Sequence, residues 1–102
     1  MYIFATSVYP NEKAKEVADM YLKAVTKYPD NNSVSTPIVP VAVHATLEGI
    51  KVINVYEVKN GKYEDAHSIA ANRLAMIQNI PGFRWKIETY LTLEGALKVI
   101  GM

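Results

Sequence analysis

The chain contains no cysteine, only two histidines and a single tryptophan. Without cysteine there is no disulfide, no thiolate nucleophile and no zinc site of the cysteine type. His44 and His67 fall on separate segments without i,i+4 spacing, so no metal site is expected, although Glu48 or Asp65 could lend an oxygen. Long apolar runs are also missing, and nothing approaches the roughly 20 residues of a membrane span. The first residues, Met1 to Thr6, lack the basic region and apolar segment of a signal peptide, so a cytoplasmic location is expected. Charge of one sign is absent too: 11 basic and 10 acidic side chains leave a formal charge of +1. The basic residues are scattered among acids, whereas a nucleic-acid binder needs them clustered to neutralise phosphates. The tyrosines are too dispersed to form a base-stacking platform.

What remains is ordinary globular composition, 50% hydrophobic and 21% charged over 102 residues, enough for one domain with a modest core. Tyr2 to Tyr9 is aromatic and β-branched and stops at Pro10, which predicts a first strand. Asn11 is placed to cap a helix whose apolar stripe is Ala14, Val17, Ala18, Tyr21, Ala24, Val25 and Tyr28. Pro29-Asp30-Asn31-Asn32 ends it, and Ser33 to Pro37 reads as a polar connection. Val39, Val41, Val43, Ala45 and Leu47 then alternate with Pro40, Ala42, His44 and Thr46 as a second strand, with Pro40 marking a sheet edge. The short turn Glu48-Gly49 makes a hairpin with a third strand, Ile50 to Val58. After Asn60-Gly61 a second helix carries Tyr63, Ala66, Ile69, Ala70, Leu74 and Ile77, and Asn79-Ile80-Pro81-Gly82 stops it. Phe83 through Thr92 alternates as strand four, and Thr92 can cap a short last helix, Leu93 to Ile100.

The order β-α-β-β-α-β is the ferredoxin-like pattern, an α+β fold of strand order 4-1-3-2 with two helices on one face. Strands 1 and 3 support central positions independently, being apolar on both faces. Two helices cover one sheet face only, so the other exposes parts of Phe4 or Ile3, Ile53 or Val55, Ala42 and Tyr90. A contiguous apolar patch of this kind marks an interface, and a two-fold axis lets one patch serve both subunits. A homodimer through the open sheet face is the expectation.

The whole chain resembles the dimeric α+β-barrel superfamily of ferredoxin-like domains. The strand Tyr2–Val8, the hairpin Val39–Val58, the helix after Asn60-Gly61 and the run Pro81-Gly82-Phe83-Arg84-Trp85 carry that resemblance. The segment from Ile87-Glu88-Thr89-Tyr90 through Leu93-Glu94-Gly95-Ala96-Leu97 is similar to small bacterial and archaeal members classed only as domains of unknown function. The resemblance implies a barrel formed by two sheets, with ligands between a sheet and its own helices. It does not select a function, because relatives range from cofactor-free monooxygenases and isomerases to haem enzymes and amino-acid-sensing domains.

Four residues are candidates to line a pocket: Asn54, Tyr56, His67 and Trp85. Asn54 sits mid-strand among apolar residues, where an amide needs hydrogen-bond partners. It could orient a ligand or be satisfied by a neighbour. His67 lies one position from the stripe of the second helix and could serve as a general base; a boundary histidine bonded to backbone is the commoner outcome. Trp85 shares parity with Phe83 and Ile87, so it packs in the core or lines a pocket wall. Arg73, near the stripe, could receive a carboxylate, but a snorkelling surface arginine is the commoner case. Three readings follow, none requiring a cofactor: a small-molecule-binding dimer, a cofactor-independent monooxygenase- or isomerase-like enzyme with His67 as base, and an interaction module with a solid interior.

Overall fold

The computed structural model describes all 102 residues. Strand β1, Tyr2–Tyr9, ends at Pro10, and a single 3₁₀ turn over Asn11–Lys13 leads into helix α1, Ala14–Lys27. Strands β2, Ser35–Ala45, and β3, Ile50–Val58, form a hairpin; helix α2, Tyr63–Ile77, strand β4, Arg84–Tyr90, and helix α3, Leu93–Val99, complete the chain. The sheet is antiparallel in the order β2-β3-β1-β4. The expected order 4-1-3-2 is this sheet read from its other edge. No helix is long and apolar enough to cross a membrane.

Period-two alternation divides the sheet into two faces. Ile3, Ala5, Ser7 and Tyr9 of β1 are buried beneath the helices, and Ala5 lies opposite Asn54 on β3 and Ile87 on β4. Tyr2, Phe4, Thr6 and Val8 take the other face with Ile53 and Val55. There the Phe4 and Tyr90 rings meet at 4.6 Å. Of the alternatives left by the sequence, Phe4 and not Ile3 is therefore the open-face residue, and both Ile53 and Val55 join it.

The helix–sheet interior holds two apolar clusters. Ile3, Val34, Val58 and Ala66 pack at one end, with Ile3 wholly shielded from water. Ala5, Tyr9, Val17, Leu74, Ile77 and Phe83 form the other. The turn that delivers Phe83 depends on Gly82, whose φ of +84° suits glycine. A Cβ there would come within 2.6 Å of the Pro10 ring.

Three local expectations need correction. Asn11 does not cap α1; its amide donates instead to the Thr46 carbonyl at 3.0 Å, tying the helix entry to the β2–β3 turn. Strand β2 begins earlier than the polar connection suggested, because Ser35 and Thr36 already pair with Val58 and Glu57. Its alternation is also broken. The pairing register shifts between Pro37 and Val39 and again between Val39 and Ala42. These bulges set Val39 opposite Val55 on the open face, while Val41 and Val43 turn to the helix side.

Candidate functional site

Between the helices and the sheet lies a cavity of about 170 Å³. Its floor is Ala5, Ser7 and Tyr9 of β1 and Val52, Asn54 and Tyr56 of β3. Val17, Ala18 and Tyr21 of α1 and Ala70, Arg73, Leu74 and Ile77 of α2 form the roof, and Val41 and Val43 of the edge strand stand at the side. The void has a simple cause. Small residues, Ala5, Ser7 and Ala70, occupy central positions where larger ones would meet, and the helices stop short of β2, leaving Val43 61% exposed.

The polar groups of this interior are few and placed by backbone features. Asn54 is 8% exposed, and its Nδ2 donates to the Pro40 carbonyl. That carbonyl belongs to the bulged stretch of β2, where regular pairing is interrupted. The amide oxygen has no partner within the chain, and since no sealed side-chain polar atom lacks one, it is open to accept a hydrogen bond. The second polar centre is Arg73, only 7% exposed. Its Nε donates to the Tyr28 carbonyl at 2.6 Å, Nη1 to the Tyr56 hydroxyl at 3.2 Å and Nη2 to Asp30 Oδ1 at 3.0 Å. Thus Arg73 is a buried cation held by three partners, and the surface reading of it is overturned.

The phenols around it respond to burial. Desolvation pushes the Tyr56 phenol above its ordinary 10.0, with the neighbouring guanidinium pulling partly back. Tyr21 is raised for the same reason against the same opposing charge. Burial also raises Tyr9. All three stay protonated near neutrality and can act as hydroxyl donors. Because Tyr56 accepts from Arg73, its own proton is left to donate.

Of the four expected pocket residues, the cavity gathers Asn54 and Tyr56 but not His67 or Trp85. Trp85 does face the helices, packing on the Phe83 cluster. However, it stands on β4, with β1 between it and Asn54, and its Nε1 donates to Gln78 Oε1 at 3.1 Å. His67 precedes the cavity-lining part of α2 by about a turn and is rotated off the buried stripe. Its ring lies 5.8 Å from that of Tyr63. Arg73, for which the surface role was favoured over carboxylate binding, had a legible signal: Ala66, Ala70, Arg73 and Ile77 recur at four, three and four residues, a continuous helical face. No group of three or more His, Cys, Asp or Glu is arranged to hold a metal ion.

No protein-family model matches the chain, and no curated protein matches its sequence. Solved structures do. The designed protein Ferredog-Diesel superposes with a TM-score of 0.52 at 10% identity, covering 87% of this chain and 85% of that one. The solution structure of the C-terminal domain of the MgtC protein from Mycobacterium tuberculosis gives 0.50 at 9% identity, covering 90% and 92%. The likeness extends to the architecture alone: a small α+β fold on a four-stranded antiparallel sheet.

Proposed function

We propose that the protein is a homodimeric, ferredoxin-like small-molecule binder that takes an apolar ring into the cavity beneath α1 and α2. The observation that carries this reading is the cavity itself, which is walled mainly by aliphatic and aromatic side chains and offers unspent polar atoms on Asn54 and Ser7. Its volume sets the ligand's size. A cavity of roughly 150 Å³ lined by aliphatic and aromatic side chains accommodates benzene, so about 170 Å³ fits a single substituted ring. The Asn54 oxygen suits a hydroxyl or N–H on that ring. Binding is favoured over catalysis by the chemistry of the lining: its titratable groups are the raised phenols and a guanidinium, and His67 lies elsewhere. The test is calorimetric titration with para-hydroxybenzamide, a neutral ring carrying both a hydroxyl and an N–H. Saturable one-site binding that is lost in Asn54→Leu supports the reading, and no heat at millimolar ligand defeats it.

The dimer rests on the opposite face of the sheet. Phe4, Val39, Ile53 and Tyr90 make an apolar strip there beside the buried Val55, and Tyr90 is 46% exposed. A two-fold related copy would cover that strip with itself, closing two sheets into the α+β barrel. The exposed apolar side chains of α3, Leu93 and Val99 among them, lie just beyond β4 and would extend the contact. Light scattering at micromolar concentration should give twice the chain mass for the wild type and the chain mass for Ile53→Glu. A monomer mass for the wild type removes the dimer.

A further inference from the structure

Arg73 sits where the interior cavity meets a second, outer hollow. The outer hollow, about 270 Å³, is lined by Val25, Pro29, Asp30, Pro37 and Pro40, and it shares Tyr21, Tyr56 and Arg73 with the interior. A guanidinium thus occupies the neck between an apolar chamber and an outer groove. Burying a guanidinium is costly unless its donors find partners. Three of its five N–H donors are spent within the chain, on Tyr28, Tyr56 and Asp30, leaving two unspent.

The three partners differ in permanence. The Tyr28 carbonyl and the Tyr56 hydroxyl are parts of the scaffold, at the end of α1 and within β3. Asp30 lies on the connection between α1 and β2, and its side chain is 52% exposed, against 8% for that of Arg73. Here an interior cation is neutralised by a carboxylate that approaches from the water side. Such a carboxylate is readily re-solvated when released, whereas the arginine cannot follow it out.

Resting on the reading of the cavity as a ring-binding site, we propose that the natural ligand is a monocyclic acid whose carboxylate displaces Asp30 from Arg73. The ring enters the apolar chamber and the carboxylate stays at the neck. Planar, bidentate recognition of a carboxylate is what a guanidinium offers and an ammonium does not. Asp30 then acts as a stand-in that neutralises Arg73 between ligands and competes with them.

The discriminating pair is para-hydroxybenzoate and its neutral isostere para-hydroxybenzamide, titrated calorimetrically into the intact chain and into Asp30→Asn. Asp30 is on an exposed connection, so this variant should fold, and circular dichroism verifies that it does. The acid should bind the wild type about tenfold more tightly than the amide, a typical margin for one charge-assisted contact. Asp30→Asn should tighten acid binding further by a similar factor and leave amide binding unchanged. If the amide binds as well as the acid in both proteins, the carboxylate proposal fails and the ring site stands. If acid binding weakens in Asp30→Asn, Asp30 is a structural support of the site and the displacement is refuted. If neither compound binds, the ring site fails and this inference with it.

Discussion

Ala66 and Ala70 are one turn apart on α2 and similarly buried, at 6% and 7% exposure, yet only Ala70 lines the cavity. Ala66 packs with Ile3, Val34 and Val58, and the void that it shares with Ala70 and Arg73 is only about 10 Å³. Ala70 also lines the interior cavity of about 170 Å³. The same helix over the same sheet is solid at one end and hollow at the other. Arg73, Tyr56 and Asn54 contribute the polar groups of the hollow end. The void therefore does not come from loose packing everywhere: small residues, a receding edge strand and a bulge coincide at one end only.

The largest expected effect is at the solid end. Ile3→Ala should cost about 3 kcal/mol in urea unfolding, within the range for fully buried isoleucine. A loss below about 1 kcal/mol would mean that this end is not the close-packed half. Next comes Arg73→Met, which keeps much of the stem but strands the Tyr28 carbonyl. Its cost should be about 2 kcal/mol, measured in the same way, with a neutral ring still admitted to the cavity.

The sharpest contrast uses the two alanines. Ala66→Leu overfills a packed site and should cost about 1–3 kcal/mol. Ala70→Leu grows into existing space and should change stability by less than about 1 kcal/mol. Equal costs for the two would erase the distinction between the ends.

The smallest effect is on pH dependence. Tyr9, Tyr21 and Tyr56 all line the hollow end, and burial raises each above 10.0. The folded state therefore holds these protons more tightly than the unfolded chain. Stability is fully present below about pH 10 and falls as pH rises from there towards the folded values. Tyr56→Phe should make that alkaline decline shallower, as read by thermal unfolding across the alkaline range. An unchanged slope would show that Tyr56 is not desolvated as described.

Much of this architecture was legible because it rests on local pattern. The aromatic and β-branched run before Pro10, the short link between β2 and β3, and the turn at Pro81-Gly82 mark strands without tertiary knowledge. Thr92 caps α3 by accepting from the Gly95 N–H, as its position suggested. Asn54 was conspicuous for being an amide among β-branched neighbours. What escaped depends on contacts between distant segments. The bulges of β2 reverse the expected face of Val39 relative to Val41, and only pairing with β3 reveals them. Trp85 was separable from the pocket by topology alone, since the order 4-1-3-2 places β1 between it and Asn54. Arg73 was misread because a charged side chain was assigned to the surface by type, although its helical spacing placed it on the buried stripe. Its burial depends on Tyr28, Asp30 and Tyr56, which lie 45, 43 and 17 residues away in sequence.

If the hollow end is a binding site, filling it abolishes binding, and the two alanines separate filling from overpacking. Amide chemical shifts should be followed by two-dimensional NMR while para-hydroxybenzamide is added to the wild type, Ala66→Leu and Ala70→Leu. Saturable shifts centred on Ser7, Asn54 and Tyr21 are expected in the wild type. They should persist in Ala66→Leu, where the protein remains folded, and vanish in Ala70→Leu. Shifts that survive filling of the cavity by Ala70→Leu, or that centre on Phe4 and Val55 of the open sheet face, would contradict binding at the hollow end.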